Sequence, residues 1–156
     1  MSGSAFDALR DAPNACQILP NIITGGQPTA AQLAALKAAG GGIVLDIRDP
    51  MERRPIDEPA EVRAQGLEYV NVPISGGSLS DEKLERILAV LRDAGEKQVF
   101  FHCGSGNRVG GAMIPYLMLD QGMTEEDAVE QAMRMGLRSP EYLEWGLDYA
   151  HRHQQG

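Results

Sequence analysis

This 156-residue sequence predicts an α/β fold: a central, mostly parallel sheet of four to five strands with helices on both faces. Two observations lead there. Short β-branched and aromatic runs alternate along the chain with amphipathic helical stretches. The most apolar run, Val99-Phe100-Phe101-His102-Cys103, stops at a cysteine, and Gly104-Ser105-Gly106-Asn107-Arg108 leads on into another helical stretch. In parallel sheets ligands collect outside the carboxyl ends of the strands. Cys103 therefore stands where such a fold does its chemistry.

Residues 1–15 are polar and broken by Ala and Pro, which predicts an N-terminal arm or frayed end ahead of a single domain over 16–156. Two short strands are expected near 16–19 and 21–24. Thr29 with Gln32 three residues on has the form of a capping box, and the helix it opens runs to the glycines at 40–42. The run 42–47 is a buried strand. Charges and the prolines at 50 and 55 make 49–57 a loop, and Pro59 opens a short helix that Gly66 closes. Residues 67–72 form a strand ended by Pro73, and Ser75-Gly76-Gly77-Ser78 is a flexible loop. Ser80 caps a helix whose Leu84, Ile87, Leu88 and Leu91 share one face. Residues 97–103 give the central strand, and the following helix extends to Asp120. Thr124 opens a helix to about Met135, and Ser139-Pro140-Glu141 starts the last one.

Composition narrows the function. A formal charge of −8 excludes nucleic acid and anionic membranes as partners and favours a small anion or a locally basic substrate. No apolar run has membrane-spanning length, and no basic-then-apolar leader follows Met1. Two distant cysteines suit a reducing cytoplasm. Cys16, beside Ile18 and Leu19, reads as buried packing, with redox pairing to Cys103 as the alternative. The three histidines, His102, His151 and His153, show no ligand spacing, so neither metal nor other cofactor is expected. No obligate protein partner is suggested.

The segment after the central strand carries the chemistry. A cysteine at a strand end, facing a helix N-terminus, meets a concentration of backbone N–H groups that favours its thiolate. Glycines at 104 and 106 let successive amides of Gly104, Ser105, Gly106, Asn107 and Arg108 turn inward as an anion nest, and Arg108 adds a bidentate donor. Packing alone accounts for a buried cysteine but not for two glycines, a serine and an arginine in the next five positions.

His-Cys-(loop)-Arg resembles the protein tyrosine and dual-specificity phosphatase motif H-C-x-x-G-x-x-R-[ST]. His102, Cys103 and Gly106 match it; Arg108 arrives one residue early, and Val109-Gly110 lack the Ser/Thr. Cys103 to Arg108 also resembles the C-R-S-G-N-R loop of single-domain rhodaneses, which carry a persulfide on the cysteine. Ile23-Thr24-Gly25-Gly26-Gln27-Pro28-Thr29, Ile43-Val44-Leu45-Asp46-Ile47-Arg48 and Gly66-Leu67-Glu68-Tyr69-Val70-Asn71-Val72-Pro73-Ile74 are similar to a bacterial family of phosphatase-fold domains. Those domains occur alone or fused to metallo-β-lactamase-like sulfur dioxygenases, and the similarity covers roughly residues 17 to 136.

The resemblance implies a three-layer phosphatase fold and a phosphocysteine reaction on a small phosphorylated or anionic substrate. Cys103 would be the nucleophile, Arg108 and the amides of 104–108 the oxyanion site, and His102 a support behind the loop. Ser105 would donate to the thiolate or leaving atom, or fill a turn. The general acid is missing: that family places an aspartate just past the strand ending in Pro73, and here Ile74, Ser75, Gly76 and Gly77 follow. Asp81, also a helix-start residue, and Asp49, also a turn residue, are the substitutes. Sulfur transfer through a Cys103 persulfide, or a catalytically inactive anion-binding module, are the alternatives.

Overall fold

The computed structural model describes residues 5–52, 55–75 and 79–154. Five strands form one sheet: β1 (Cys16–Leu19), β2 (Ile22–Gly25), β3 (Gly41–Asp46), β4 (Glu68–Asn71) and β5 (Gln98–His102), in the order β1-β2-β5-β3-β4. Only the β1–β2 pair is antiparallel. β5 lies between β2 and β3, so the loops leaving three parallel strands converge around Cys103.

The β5 side chains alternate between two cores. Val99 and Phe101 join Ile43, Leu45 and the helices α4 (Asp81–Asp93), α5 (Asn107–Pro115), α6 (Glu125–Met135) and α7 (Pro140–His153). Phe100 faces the other way, onto Ile23, Val44, α1 (Ala5–Leu9), α2 (Ala30–Ala38) and α3 (Glu58–Ala64). Burial on both faces explains why β5 reads as continuous hydrophobic sequence instead of alternating. The three-layer arrangement expected from the sequence is the one observed.

Local signals hold at most element ends. The Thr29/Gln32 capping box closes both ways, and Ser80 and Thr124 each accept from the backbone N–H three residues on. Ser139 differs: it precedes α7 but makes no side-chain cap, because its hydroxyl accepts from Asn107. The helix expected to reach Asp120 is α-helical only through Pro115; Tyr116–Asp120 is a π-helical turn.

The N-terminal segment departs most from expectation. α1 buries Ala5 and Leu9 on the sheet's second face, and Ala12 is buried behind them. The segment is packed, because three small or apolar side chains at helical spacing find a surface between β2 and α2. Of the loop expected at 75–78, Gly76, Gly77 and Ser78 lie outside the described residues. Among the described residues no helix is long and apolar enough to cross a membrane.

Candidate active site

Cys103 is fully buried at the end of β5. The loop above it is shaped by what holds its carbonyls. Cys103 O faces His102 Nδ1 at 3.1 Å, Gly104 O accepts from Gln27 N at 3.0 Å, and Ser105 O accepts from Asn14 Nδ2 at 2.7 Å. In a planar trans peptide the next N–H points opposite to the carbonyl. Pinning these carbonyls outward therefore turns the N–H groups of Gly104, Ser105 and Gly106 inward, and Gly106 N donates to Cys103 Sγ at 3.1 Å. The α5 N-terminus completes the ring of donors.

Two glycines are irreplaceable for steric reasons. Gly106 has φ 94°, and a Cβ there would sit 2.0 Å from Met135 O. A Cβ on Gly26 would meet Gly104 O at 2.4 Å, so only glycine lets β2 run this close to the loop.

Arg108 is aimed by Glu52, an acid in the charged loop after β3 that no local sequence signal marks. Its Nη1 donates to Glu52 Oε2 at 2.6 Å and to Ile74 O at 3.0 Å, and its Nη2 donates to Glu52 Oε1 at 3.0 Å. Glu52 thus grips the end of the guanidinium. The side edge, Nε–H with the second Nη2 hydrogen, is left for a planar or tetrahedral oxyanion, and Nη2 lies beside Gly104. Burial alone would raise the Glu52 carboxyl, but hydrogen bonds from Arg108 and the Asp49 N–H, with the charges of Arg108 and Arg48, lower its pKa to about 2. Burial opposes the charge on Arg108, yet the Glu52 hydrogen bond and the neighbouring Cys103 and Glu52 raise its pKa overall.

Behind the loop lies a buried ionic cluster. His102 is enclosed, stacked on Phe100, with Nε2 against Glu58 Oε2 and Nδ1 against the Cys103 carbonyl. Nδ1 faces an acceptor carbonyl and Nε2 a carboxylate, surroundings that favour protonation of both ring nitrogens. Burial pushes the other way, but the Glu58 hydrogen bond and charge, then Asp46 and the Cys103 carbonyl, raise its pKa. Asp46 accepts from Tyr69 Oη at 2.7 Å and from Arg48 N at 2.9 Å. Gln27 donates to Glu58 Oε1 at 2.7 Å and accepts from Arg48, whose Nε also lies 3.4 Å from Glu52. One hydrogen-bonded chain, His102–Glu58–Gln27–Arg48–Glu52–Arg108, therefore joins both ends of the loop. Ligand-capable atoms of Asp46, Glu58 and His102 fall within 4.8 Å of one another. No sequence spacing disclosed this cluster around a histidine. Each member already has a hydrogen-bond partner, so the group fits an ion cluster better than a metal centre.

The remaining sequence candidates fall as follows. Asn107 turns its side chain away from the loop: Nδ2 donates to Ser139 Oγ at 2.8 Å, and Oδ1 accepts from Arg138 N and Ser139 N. Its backbone N–H stays at the helix start. Ser105 is exposed on the rim. Asp49 accepts from Met51 N at 2.9 Å and so shapes the turn that presents Glu52. Asp81 starts α4 and is gripped by Arg152 at 2.6 and 2.7 Å, which lowers its pKa. Tyr142, which no sequence signal marked, is partly buried and has its hydroxyl in the fields of Arg108, Glu141, Cys103 and Glu52; burial raises its pKa. Cys16 pairs with Thr24, which pairs with Phe101. Two strand spacings, about 10 Å, separate it from β5, too far for a disulfide with Cys103.

Residues 14–143 match the family described as DSP-PTPase phosphatase fused to NAD+ kinase. The chain belongs to this family. It is a cysteine-dependent phosphatase of the dual-specificity type. None of the curated proteins matches it. Solved structures that share the fold include a DUF442 phosphatase-like protein of Shewanella putrefaciens: 21% identity, 95% of this chain and 98% of that one, TM-score 0.78. Another is TpbA of P. aeruginosa in complex with phosphotyrosine: 18% identity, 92% and 91% coverage, TM-score 0.72. A third is the catalytic core of the PP-IP phosphatase Siw14 of S. cerevisiae in complex with citrate: 15% identity, 92% coverage of each chain, TM-score 0.73. At these identities the likeness establishes the fold.

Proposed function

We propose that the phosphatase works through Cys103, with Arg108 and the amides of Gly104, Ser105, Gly106, Asn107 and Arg108 holding the phosphoryl oxygens. One observation supports this reading: three outward-pinned carbonyls aim the loop amides at the space above Cys103 Sγ, and Arg108 Nη2 lies beside Gly104 of the same loop. The thiolate attacks phosphorus, forming the Sγ–P bond as the P–O bond to the leaving group breaks. Amides and guanidinium stabilise the equatorial oxygens most strongly as charge builds on them. Water then attacks the phosphocysteine, releasing dihydrogen phosphate and restoring the thiolate. His102 and Glu52 are positioning residues, one behind the loop and one behind the arginine.

The substrate is a small phosphorylated or otherwise anionic molecule, processed in the reducing cytoplasm where Cys103 stays a free thiol. The reading needs neither nucleic acid nor a membrane surface, consistent with the charge of −8.

Sulfur transfer draws on a different observation, the six-residue span from Cys103 to Arg108 that matches the rhodanese loop in length. The two readings separate in one experiment: p-nitrophenyl phosphate in one arm, thiosulfate with cyanide in the other, and Cys103→Ser as control in both. Phosphate release lost in Cys103→Ser, with no sulfane sulfur on the wild-type protein, is the expected result. Thiocyanate formation without phosphate release reverses the assignment.

A further inference from the structure

We infer that the phosphatase has no side-chain general acid, and that its substrates carry the phosphoryl group on an oxygen that leaves as a stabilised anion: an acyl phosphate, a phosphoanhydride or an acidic phenol. The inference rests on the phosphatase reading above.

Among the described residues, the carboxylates around the site are engaged with other partners, with the exception of Glu141, which faces away into a groove. Asp46 accepts from Tyr69 and Arg48 N deep in the sheet, and Glu58 is tied to His102 and Gln27. Asp49 shapes its own turn, and Asp81 is gripped by Arg152 on the α4 surface. Glu52 touches the arginine of the site, but it holds Arg108 through two hydrogen bonds and is ionised. Substrate binding does not free it, because an oxyanion takes the Nε/Nη2 side edge while Glu52 holds the Nη1/Nη2 end. Glu141, on the first turn of α7, is exposed and faces a groove with Leu79, Glu144 and Trp145.

The stretch that follows β4 in sequence adds no carboxylic acid either. Its sequence from Ile74 to Ser80, Ile-Ser-Gly-Gly-Ser-Leu-Ser, contains no carboxylate, and its described contact with the loop is Ile74 O accepting from Arg108. As the Sγ–P bond forms, the leaving oxygen takes the P–O bonding pair and departs as RO⁻ with no proton from the protein. Water's two protons stay with the phosphate when the phosphocysteine is hydrolysed. Such a site discriminates by leaving-group acidity.

The test measures kcat/KM across aryl phosphates from p-nitrophenyl to phenyl, with acetyl phosphate, pyrophosphate and phosphoserine as further arms. A positioned general acid contributes about 10²–10⁴-fold. Without one, kcat/KM is expected to fall by about a hundredfold or more from p-nitrophenyl to phenyl phosphate. Phosphoserine should be the poorest substrate and acetyl phosphate or pyrophosphate among the best; which of those two leads identifies the acyl or the anhydride source. A series flat to within about tenfold overturns the inference while leaving the phosphatase reading intact. Failure to release phosphate from p-nitrophenyl phosphate in a Cys103-dependent way defeats the phosphatase reading and the inference with it. Glu52→Gln, Glu141→Gln and Tyr142→Phe close the remaining routes, since the Tyr142 hydroxyl also lies in the fields of Arg108 and Cys103. If Glu52 only positions Arg108, Glu52→Gln lowers kcat/KM on every ester by a common factor of about ten to a hundred, and Glu141→Gln and Tyr142→Phe leave the slope unchanged. A loss confined to phenyl phosphate in any of the three names that residue, the phenol included, as the acid and overturns the inference.

Discussion

Two sides of the same rim are built to different standards. On the β5 side, each loop carbonyl from Cys103 to Ser105 is held by a partner, and Glu52 and Ile74 together fix the arginine. On the side where the chain leaves β4, residues 74–80 carry neither carboxylate nor imidazole. The nucleophile and the oxyanion site are over-determined, whereas departure of the leaving group is left to the substrate. Of the two halves of a phosphoryl transfer, this fold has invested in one.

The largest effects should come from the over-determined side. Cys103→Ser is expected to abolish phosphate release while an oxyanion such as phosphate still binds. Conversely, bound phosphate should protect Cys103 of the wild-type protein from iodoacetamide and leave labelling of Cys16 unchanged. Arg108→Lys keeps the charge but loses the planar fork, and kcat should drop by roughly 10²–10³-fold, the scale of one oxyanion donor. If phosphate does not protect Cys103, the anion site is elsewhere and the comparison fails.

Next comes the buried cluster. Glu58→Gln removes one partner of a fully buried pair and should destabilise the protein by about 3–5 kcal/mol in denaturant unfolding. It also has a pH signature. The His102 pKa is raised on folding, so its contribution to stability is complete below the ordinary histidine value of about 6.5. That contribution is lost as pH rises through the higher folded value. Asp46, Arg48 and Cys103 also face or neighbour the His102 ring, and they remain in the variant. Glu58→Gln should therefore move the alkaline loss of both stability and activity to lower pH. An unchanged alkaline limb would mean that the cluster supports the fold without tuning the loop.

The sequence disclosed the sheet and the loop far better than it disclosed what holds the loop. The β5 run, the Thr29/Gln32 box and the glycines at 104 and 106 are local signals, each with a meaning fixed within a few residues. Glu52, Gln27, Glu58 and Asn14 act on the loop and its flanking residues from 44 to 91 residues away along the chain. Their residue types were ordinary for the turns and helix starts in which they sit. A charged loop over 49–57 says nothing about which acid will meet Arg108; the β3–β5 register decides that. Residues 1–15 misled for a related reason, since Leu9 and Ala12 show their purpose only when a sheet face is there to cover.

Asn14 offers a smaller and cleaner break. It has φ 52°, a conformation that asparagine tolerates and glycine adopts freely. Asn14→Gly therefore keeps the backbone and deletes only the hydrogen bond to Ser105 O. Losing one such bond is expected to cost about 0.5–1.5 kcal/mol, or roughly two- to tenfold in phosphate affinity and kcat/KM. Asn14→Ala, which adds backbone strain, should cost more. Wild-type affinity and kcat/KM in Asn14→Gly would show that the carbonyl needs no tether.

The smallest effect is expected on the unbuilt side. Asp81 and Arg152 form an exposed pair joined by two hydrogen bonds, with Asp148 as a second partner of Arg152. The Arg152 guanidinium holds the Asp81 carboxyl below its usual range, so Asp81 is ionised at neutral pH and has no proton to give. Its structural duty is at the N-terminus of α4, where a negative charge suits the helix dipole. Asp81→Asn should then leave kcat/KM unchanged on every ester, activated or not. Its mark should be a slightly lower melting temperature, fading as salt screens the wild-type pair. Because the Asp81 pKa is depressed on folding, the stabilisation is present above the ordinary carboxylate range and is lost as pH falls through the folded value. The wild-type and Asp81→Asn melting curves should therefore converge in acid. A selective loss on phenyl phosphate would place a proton on a residue whose partner forbids it, and the side of the rim after β4 would prove to be built after all.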